Sequence, residues 1–338
     1  MLSLKKNLKK IKTFLLTNRY LLVIFFIGLV LRVIGTNHSL PLVFNRDELS
    51  FVSTTKSLFG NGLNPGRFDW PHFHFYINFL VYGVLEFFKY VLALIHLEGI
   101  FKSIFPLLYS NPDLYFFLSR LTNAVLGALT VYPLYFASRK LFLKKIYKKF
   151  NSSHLICLIF TLIPFHNYES HLATLDVATT FWVCIFLYFC FSVIKKPSLS
   201  NFIYSGIFLG VSFSTKYHSL MYGFVFCICV LYSLKAKNFI EGVKKFFSTF
   251  YIKNYLYFIF AFFVTFLILN PTVLTNFNLF WSTEYGKGFL FQFENTGTNN
   301  FIETQYSLKD NFFQSINDLG IVLYLMAFLS CFLYVFFN

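Results

Sequence analysis

Charge is what this sequence has least of. Charged residues fill 13% of its 338 positions and hydrophobic residues 57%, and mean hydropathy is +0.61. A soluble domain carries roughly 25% charged residues and covers itself with them. A water-soluble fold is therefore excluded, and lipid must solvate much of the surface. Acidic residues are scarcer still, 14 against 29 Lys and Arg. The net charge of +15 lies beside apolar runs and not in a separate basic region, so it reads as the positive-inside signal of a membrane protein and not as a nucleic-acid groove. The six cysteines (157, 184, 190, 227, 229 and 331) all fall within apolar stretches. None has metal-ligand spacing, so they read as small hydrophobes and no disulfide is expected. Neither an internal repeat nor a soluble domain is visible.

What is present is a series of apolar runs separated by basic clusters. The N-terminus, MLSLKKNLKKIKTFLLTNR, has six Lys and Arg ahead of an apolar run from Tyr20 to about Gly35. No small-x-small cleavage site follows, so residues 1–19 are expected on the cytoplasmic side, with the run retained as a first span. Residue 36 then emerges outside. The next basic run, ASRKLFLKKIYKKF at 137–150, belongs inside again, so an odd number of crossings must separate the two. Two apolar candidates lie between, about 73–97 and 115–137. The first carries Glu86 and Lys89 and is expected to lie along the outer interface. Further spans are expected near 153–168, 172–194, 201–216 with 217–234 as a short pair, 254–270 and 318–337. The expected fold is thus an all-α polytopic bundle of about eight transmembrane helices over residues 20–338. It has outer loops at about 36–114 and 271–316, and interfacial helices in the first loop. No inside flank follows the last run, and the chain reads as truncated at Asn338.

This topology gathers ionisable residues at the outer ends of helices, where they are costly and face a cavity or a partner. In NRDELSFVSTTKSLFGNG, Asn45 or Asp47 can cap a short amphipathic helix that Gly60-Asn61-Gly62 ends. Asp47 and Glu48 are either dipole-compatible acids of a first turn or, as the sharper reading, a general base held at the lipid–water boundary. Arg120, Asn123 and Gly127 share one helical face, with Arg120 near its outer end, where it either snorkels or faces a cavity or partner. His166, Glu169, His171 and Asp176 are the candidates for a divalent cation, although their spacing matches no tight zinc pattern. Lys216, between Ser212 and Ser219 at the junction of two short spans, is either an interface lysine or a partner for a phosphate.

Several segments together resemble the GT-C glycosyltransferases, specifically the dolichyl-phosphate-mannose–protein mannosyltransferase-like group and its bacterial relatives. In family order, NRDELSFV resembles the Asp-Glu of the first outer loop and DWPHFHFY the stretch that follows it. SRLTNAVLGALTVYPLYFASRKLF resembles the Arg-led second span, ESHLATLDVATTFW the segment with a second outer Asp, and GIFLGVSFSTKYHSL the Gly-rich span ending in Thr-Lys. The resemblance covers roughly residues 15–335. It implies a GT-C bundle in the cell membrane that transfers a sugar, with inversion, from a polyprenyl-phosphate donor to an acceptor hydroxyl of a protein, lipid or glycan at an outer-face site. On that reading Asp47 is the catalytic base, Glu48 supports it, Arg120 and Lys216 hold the lipid phosphate, and the 271–316 loop closes over the donor. His72, His74, Glu169, His171 and Asp176 are further substrate or metal candidates. No cofactor is required, and a divalent metal stays open. Two departures matter: the family's Pro-Pro is Pro71-His72 here, and relatives continue through more spans.

Two other classes compete. A transporter or lipid-carrier flippase would line a path with the same charges, but it commonly shows repeats and interrupted helices in matching halves, and no such symmetry is visible. A structural assembly subunit is the third.

Overall fold

The computed structural model describes residues 19–104, 113–142, 145–147, 150–284 and 286–291. The basic N-terminus (1–18), most of the 271–316 loop and the 318–337 run lie outside these residues. The described chain is almost wholly helical. Helices α1 (Arg19–Val33), α2 (Arg46–Asn61), α3 (Phe73–Leu94) and α4 (Glu98–Ile104) lead to the nearly continuous pair α5 (Leu114–Leu129) and α6 (Val131–Leu141). Two short antiparallel strands, Lys145–Tyr147 and Phe150–Asn151, turn the chain. Then come α7 (Ser152–Leu162), α8 (Pro164–Glu169), α9 (Asp176–Lys195), α10 (Leu199–Phe213), a 3₁₀ turn (Tyr217–Tyr222), α11 (Gly223–Ser233), α12 (Phe239–Phe246) and α13 (Thr249–Leu269). Two single-turn helices, Thr272–Thr275 and Phe277–Phe280, follow.

Among the described residues, four stretches are long and apolar enough to cross a membrane: 73–94, 114–141, 176–195 and 249–269. A membrane span needs about 20 apolar residues, and α7, α10 and the 217–233 stretch are shorter. The expectation of about eight spans is therefore met in part. Helix α9 lies at the centre, touching α5, α6, α10 and α11, while α1 packs on α5 and α7. The expected single span at 153–168 breaks at Pro164, which opens the separate helix α8, because an interior proline cannot donate to the helix ladder.

Glycines set the closest helix contact. Gly206 and Gly210 lie one turn apart on α10 and face α13. A Cβ on Gly206 would stand 2.2 Å from the Phe258 carbonyl oxygen, and one on Gly210 2.8 Å from that of Phe262. This small-x₃-small spacing lets two backbones meet without side chains between them, the usual device where lipid supplies no hydrophobic drive between helices. Below the contact, Phe202, Phe226, Tyr251 and Phe262 fill the core.

Helix α3 departs from the bundle. His74 at its start meets Asn123, Tyr82 donates to the Tyr115 carbonyl at 3.2 Å, and Tyr115 donates to Glu86 at 2.7 Å. As α3 proceeds it therefore passes only the first turns of α5, running away from the rest of α5–α6. Its charges do not stand alone, since Lys89 pairs with Glu86 at 2.8 Å.

Candidate functional site

One end of the bundle collects the polar residues: the end of α1, the starts of α2, α3, α5 and α9, and the ends of α10 and α13. Three buried polar junctions assemble it.

The first is centred on Arg120. Its Nε and Nη2 donate to the two oxygens of Glu48 at 2.8 and 2.9 Å, and its Nη1 donates to the carbonyls of Thr36 and His38 at 3.2 and 2.8 Å. Glu48 Oε1 also accepts the Ala173 backbone N–H at 2.7 Å. Both side chains are 1% exposed. Bidentate geometry matches the guanidinium fork to the carboxylate, and the pair ties α5 to the end of α1, the start of α2 and the turn before α9. Arg120, expected to hold a phosphate, is thus turned onto Glu48 and two carbonyls. Glu48, expected beside the base, is sealed by the same contacts.

Asp47 is placed differently. Asn45 caps α2, accepting the Asp47 N–H at 2.9 Å. The Asp47 carboxylate is exposed, with no partner among the described residues. A sealed acid and a free acid therefore stand side by side in the first turn of one helix.

The second junction surrounds Asn123. It donates through Nδ2 to the Leu172 and Thr174 carbonyls, both at 2.7 Å, and its Oδ1 accepts from His74 Nε2 at 3.1 Å. The third surrounds Asn270. Its Oδ1 accepts the His72 N–H at 2.7 Å, its Nδ2 donates to Ser214 Oγ at 2.9 Å, and the Ser214 carbonyl accepts the Phe73 N–H at 3.1 Å. His72 Nε2 donates to the Arg67 carbonyl at 2.9 Å, while Nδ1 accepts from the Thr272 hydroxyl at 3.1 Å. Burial pushes the His72 imidazole down to about 4, so it holds this junction as a neutral ring. Neither His72 nor His74 has exposed surface; both serve as internal struts, His72 with both ring nitrogens bonded and His74 with its Nδ1 buried and unpartnered among the described residues.

Between these junctions opens a cavity of about 670 Å³ bordered by His166, Glu169, Asp176, Thr180, Lys216 and His218, among others. Lys216 Nζ donates to Asp176 Oδ1 at 2.5 Å, with the two side chains 34% and 48% exposed. Glu169 and Asp176 do not share a continuous helix, because residues 170–175 form a turn; the turn nevertheless brings both to the cavity. Burial first, and then the neighbouring Asp176, raises the Glu169 carboxyl above its ordinary range. His171 points elsewhere, its Nε2 donating to the Ile34 carbonyl at 2.8 Å.

Behind the cavity wall lies Arg32, fully buried. Its Nη1 donates to the Gly28 carbonyl at 3.1 Å and its Nη2 to His166 Nδ1 at 3.0 Å. Among the described residues no carboxylate pairs with it. An arginine can only donate, so His166 accepts through Nδ1 and carries its proton on Nε2. Burial and the adjacent guanidinium push that imidazole down to about 3, which keeps it neutral. The four residues considered for a divalent cation therefore diverge: His171 faces a carbonyl away from the cavity, and His166 borders the cavity with Glu169 and Asp176 but has its Nδ1 committed to Arg32. Among the described residues no group of three His, Cys, Asp or Glu is placed to hold a metal ion.

Sequence reasoning missed the Asn270 junction and the Arg32–His166 contact. Asn270 carried a signal, being a lone amide after the run FVTFLIL, apolar but for Thr265, and such a group must be satisfied internally at membrane depth. The pairing of Arg32 with His166, 134 positions apart, had none.

The family described as dolichyl-phosphate-mannose-protein mannosyltransferase matches residues 115–268. The match takes in α5 to α13, with Arg120, Glu169, Asp176 and Lys216. It begins after Asp47 and Glu48 and spans less than half of the chain. Among curated proteins nothing matches, and among solved structures nothing matches. The chain is thus similar to a membrane glycosyltransferase family of mannosyltransferase type through its central helices.

Proposed function

We propose that the protein transfers a sugar from a polyprenyl-phosphate carrier to an acceptor hydroxyl, with inversion, at the outer face of the membrane. The observation that carries this reading is the contrast within the first turn of α2. Glu48 is sealed by Arg120 and Ala173 N–H, which fixes the turn and presents the free carboxylate of Asp47. That turn is joined through Ala173 to the segment bearing Glu169 and Asp176, and so to the cavity with Lys216. The family similarity supports a transferase, and the cavity supplies a cation and carboxylates within one enclosure.

In the proposed step the acceptor O–H gives its proton to Asp47, and the acceptor oxygen forms its bond to the anomeric carbon from the face opposite the leaving group. The bond from that carbon to the phosphate oxygen breaks, and polyprenyl phosphate leaves with the electron pair. A positioned carboxylate base is worth on the order of 10²–10⁴-fold, and preorganised cationic stabilisation of a developing charge is of similar size. Lys216 takes the phosphate in this scheme, exchanging a half-exposed partner, Asp176, for the ligand. Arg120 and Glu48 act as positioning residues, and Arg32 adds positive charge through His166.

The orientation follows from charge and geometry together. Arg120 touches Thr36 and His38, so the chain between residues 39 and 113 leaves and returns at one end of the bundle. A single crossing by α3 would break that closure, and α4 is seven residues long. We therefore place α2 and α3 along the outer interface, with the lysine-rich turns at the cytoplasmic face.

The test incubates purified protein in lipid with labelled polyprenyl-phosphate sugars and a membrane extract as acceptor source, comparing wild type with Asp47→Asn. Label moved by wild type and lost in the variant is the expected outcome. Equal transfer by both would remove Asp47 from the base role. Solute movement across proteoliposomes that depends on Asp47, with no sugar transfer, would replace the enzyme with a transporter.

A further inference from the structure

The far end of the bundle carries a second feature, independent of the cavity and its chemistry. Helix α11 ends at Ser233, and the chain crosses to α13 through Lys235, Lys237 and α12. A cavity of about 370 Å³ opens beneath this connection, walled by Leu231, Leu234, Gly242, Val243, Phe246 and Phe247, among others. Its volume lies within the roughly 300–1,000 Å³ typical of small-ligand sites, but its walls are almost entirely hydrocarbon.

The rim is cationic. From residue 231 to 258 the chain has five lysines (235, 237, 244, 245 and 253) and one acid, Glu241. Glu241 is already committed, pairing with Lys245 at 2.7 Å and accepting the Lys237 backbone N–H at 2.9 Å. Lys235, Lys237 and Lys244 are exposed and pair with no acid among the described residues. Beside them, Ile240 and Phe247 are 67% and 66% exposed. Ile240, Lys244 and Phe247 follow one another at i, i+4 and i+7 along this helix, and exposed apolar groups interleaved with a lysine suit the boundary between headgroups and acyl chains.

Its position agrees. Helix α13 has 21 residues, about 31 Å at 1.5 Å per residue, and joins α12 to the Asn270 junction. That length matches the roughly 30 Å hydrocarbon core of a bilayer, so α12 lies one membrane thickness from the Lys216 cavity.

We propose that this end is a binding site for an anionic phospholipid of the inner leaflet, with its phosphate among Lys235, Lys237 and Lys244 and one acyl chain in the apolar cavity. Basic clusters beside a membrane helix gain roughly a few-fold in affinity per lysine for anionic lipid. A walled cavity adds selectivity for a lipid over a soluble anion.

The test measures lipid retained by detergent-purified protein by native mass spectrometry, after incubation with vesicles of phosphatidylglycerol or of phosphatidylcholine. Wild type should retain phosphatidylglycerol about tenfold or more over phosphatidylcholine. The triple change Lys235→Gln, Lys237→Gln and Lys244→Gln should erase that preference. Gly242→Leu, which fills the cavity and keeps every lysine, should lower retention of both lipids. These are surface and cavity-wall positions, and an unchanged melting temperature in lipid-free detergent checks that each variant is folded. Equal retention of the two lipids by wild type would overturn the proposal, as would unaltered retention by Gly242→Leu. Displacement of the lipid by millimolar inorganic phosphate alone would reduce the site to a plain anion patch and overturn it as well.

Discussion

Two acid–base pairs stand at the same end of this bundle, with opposite environments. Arg120–Glu48 is 1% exposed on each side, bidentate, and has its remaining donors on carbonyls. Lys216–Asp176 is a single contact at 2.5 Å between side chains 34% and 48% exposed, on the wall of the large cavity. The first is closed to any new partner without loss of several hydrogen bonds. The second is exchangeable, since water screens both members and either can turn to a ligand. Residue type alone would rank the arginine as the better phosphate holder; burial reverses that order.

The largest effect should come from opening the sealed pair. Arg120→Ala leaves Glu48 buried without its cation, a loss of about 3–5 kcal/mol, read as a large fall in the denaturation midpoint in lipid or mild detergent. Arg120→Lys should recover only part, because a point charge cannot reproduce the fork. Near-normal stability of Arg120→Ala would show that the two pairs are not different in kind.

The next largest effect belongs to the exchangeable pair and falls on activity. Lys216→Ala should reduce sugar transfer by about 10- to 100-fold, the worth of one charge-assisted hydrogen bond of roughly 1.5–3 kcal/mol. Stability should shift by less than about 1 kcal/mol, as expected of a half-exposed pair. A fall in melting temperature as large as that of Arg120→Ala would erase the contrast.

The smallest effect is a pH slope. Burial and Asp176 raise the folded-state carboxyl of Glu169 above its unfolded value. Its favourable contribution is therefore present below the ordinary carboxylate range and is lost as pH rises through the raised value. Glu169→Gln mimics the protonated state, so wild type should lose stability relative to the variant as pH climbs from that range toward neutrality. Parallel melting curves at every pH would show that the cavity wall hydrates this carboxyl as freely as bulk water does.

Much of the helical plan was legible because basic clusters and apolar runs carry it directly: α5–α6, α9 and α13 fall where the runs place them. So does the helix Asn45 caps, a local signal read from neighbouring residues. Arg120, Asn123 and Gly127 do share a face, and all three are buried. What they touch was not legible, because Glu48 is 72 positions from Arg120 and His74 is 49 from Asn123. Sequence reading therefore found polar residues at the correct end but could not divide them between struts and cavity lining. His72 and His74 look like ligand contacts until their burial is known, whereas Lys216 and Asp176 stand half-exposed on a cavity wall.

The buried amides have a last consequence, which is entropic. Asn123 and Glu48 hold the turn before Asp176, and Asn270 holds the segment before Lys216, so both flanks of the large cavity are ordered whether or not anything occupies it. The wall least held by these junctions is the 3₁₀ turn Tyr217–Tyr222, where Met221 is 68% exposed, although Tyr217 is anchored through its hydroxyl to the Phe68 carbonyl at 2.9 Å. On the proposed function, recognition and folding are written in different residues: exchanging His218 or Met221 should change which guest is accepted, whereas exchanging Asn123 or Asn270 should change whether there is a vessel to receive one.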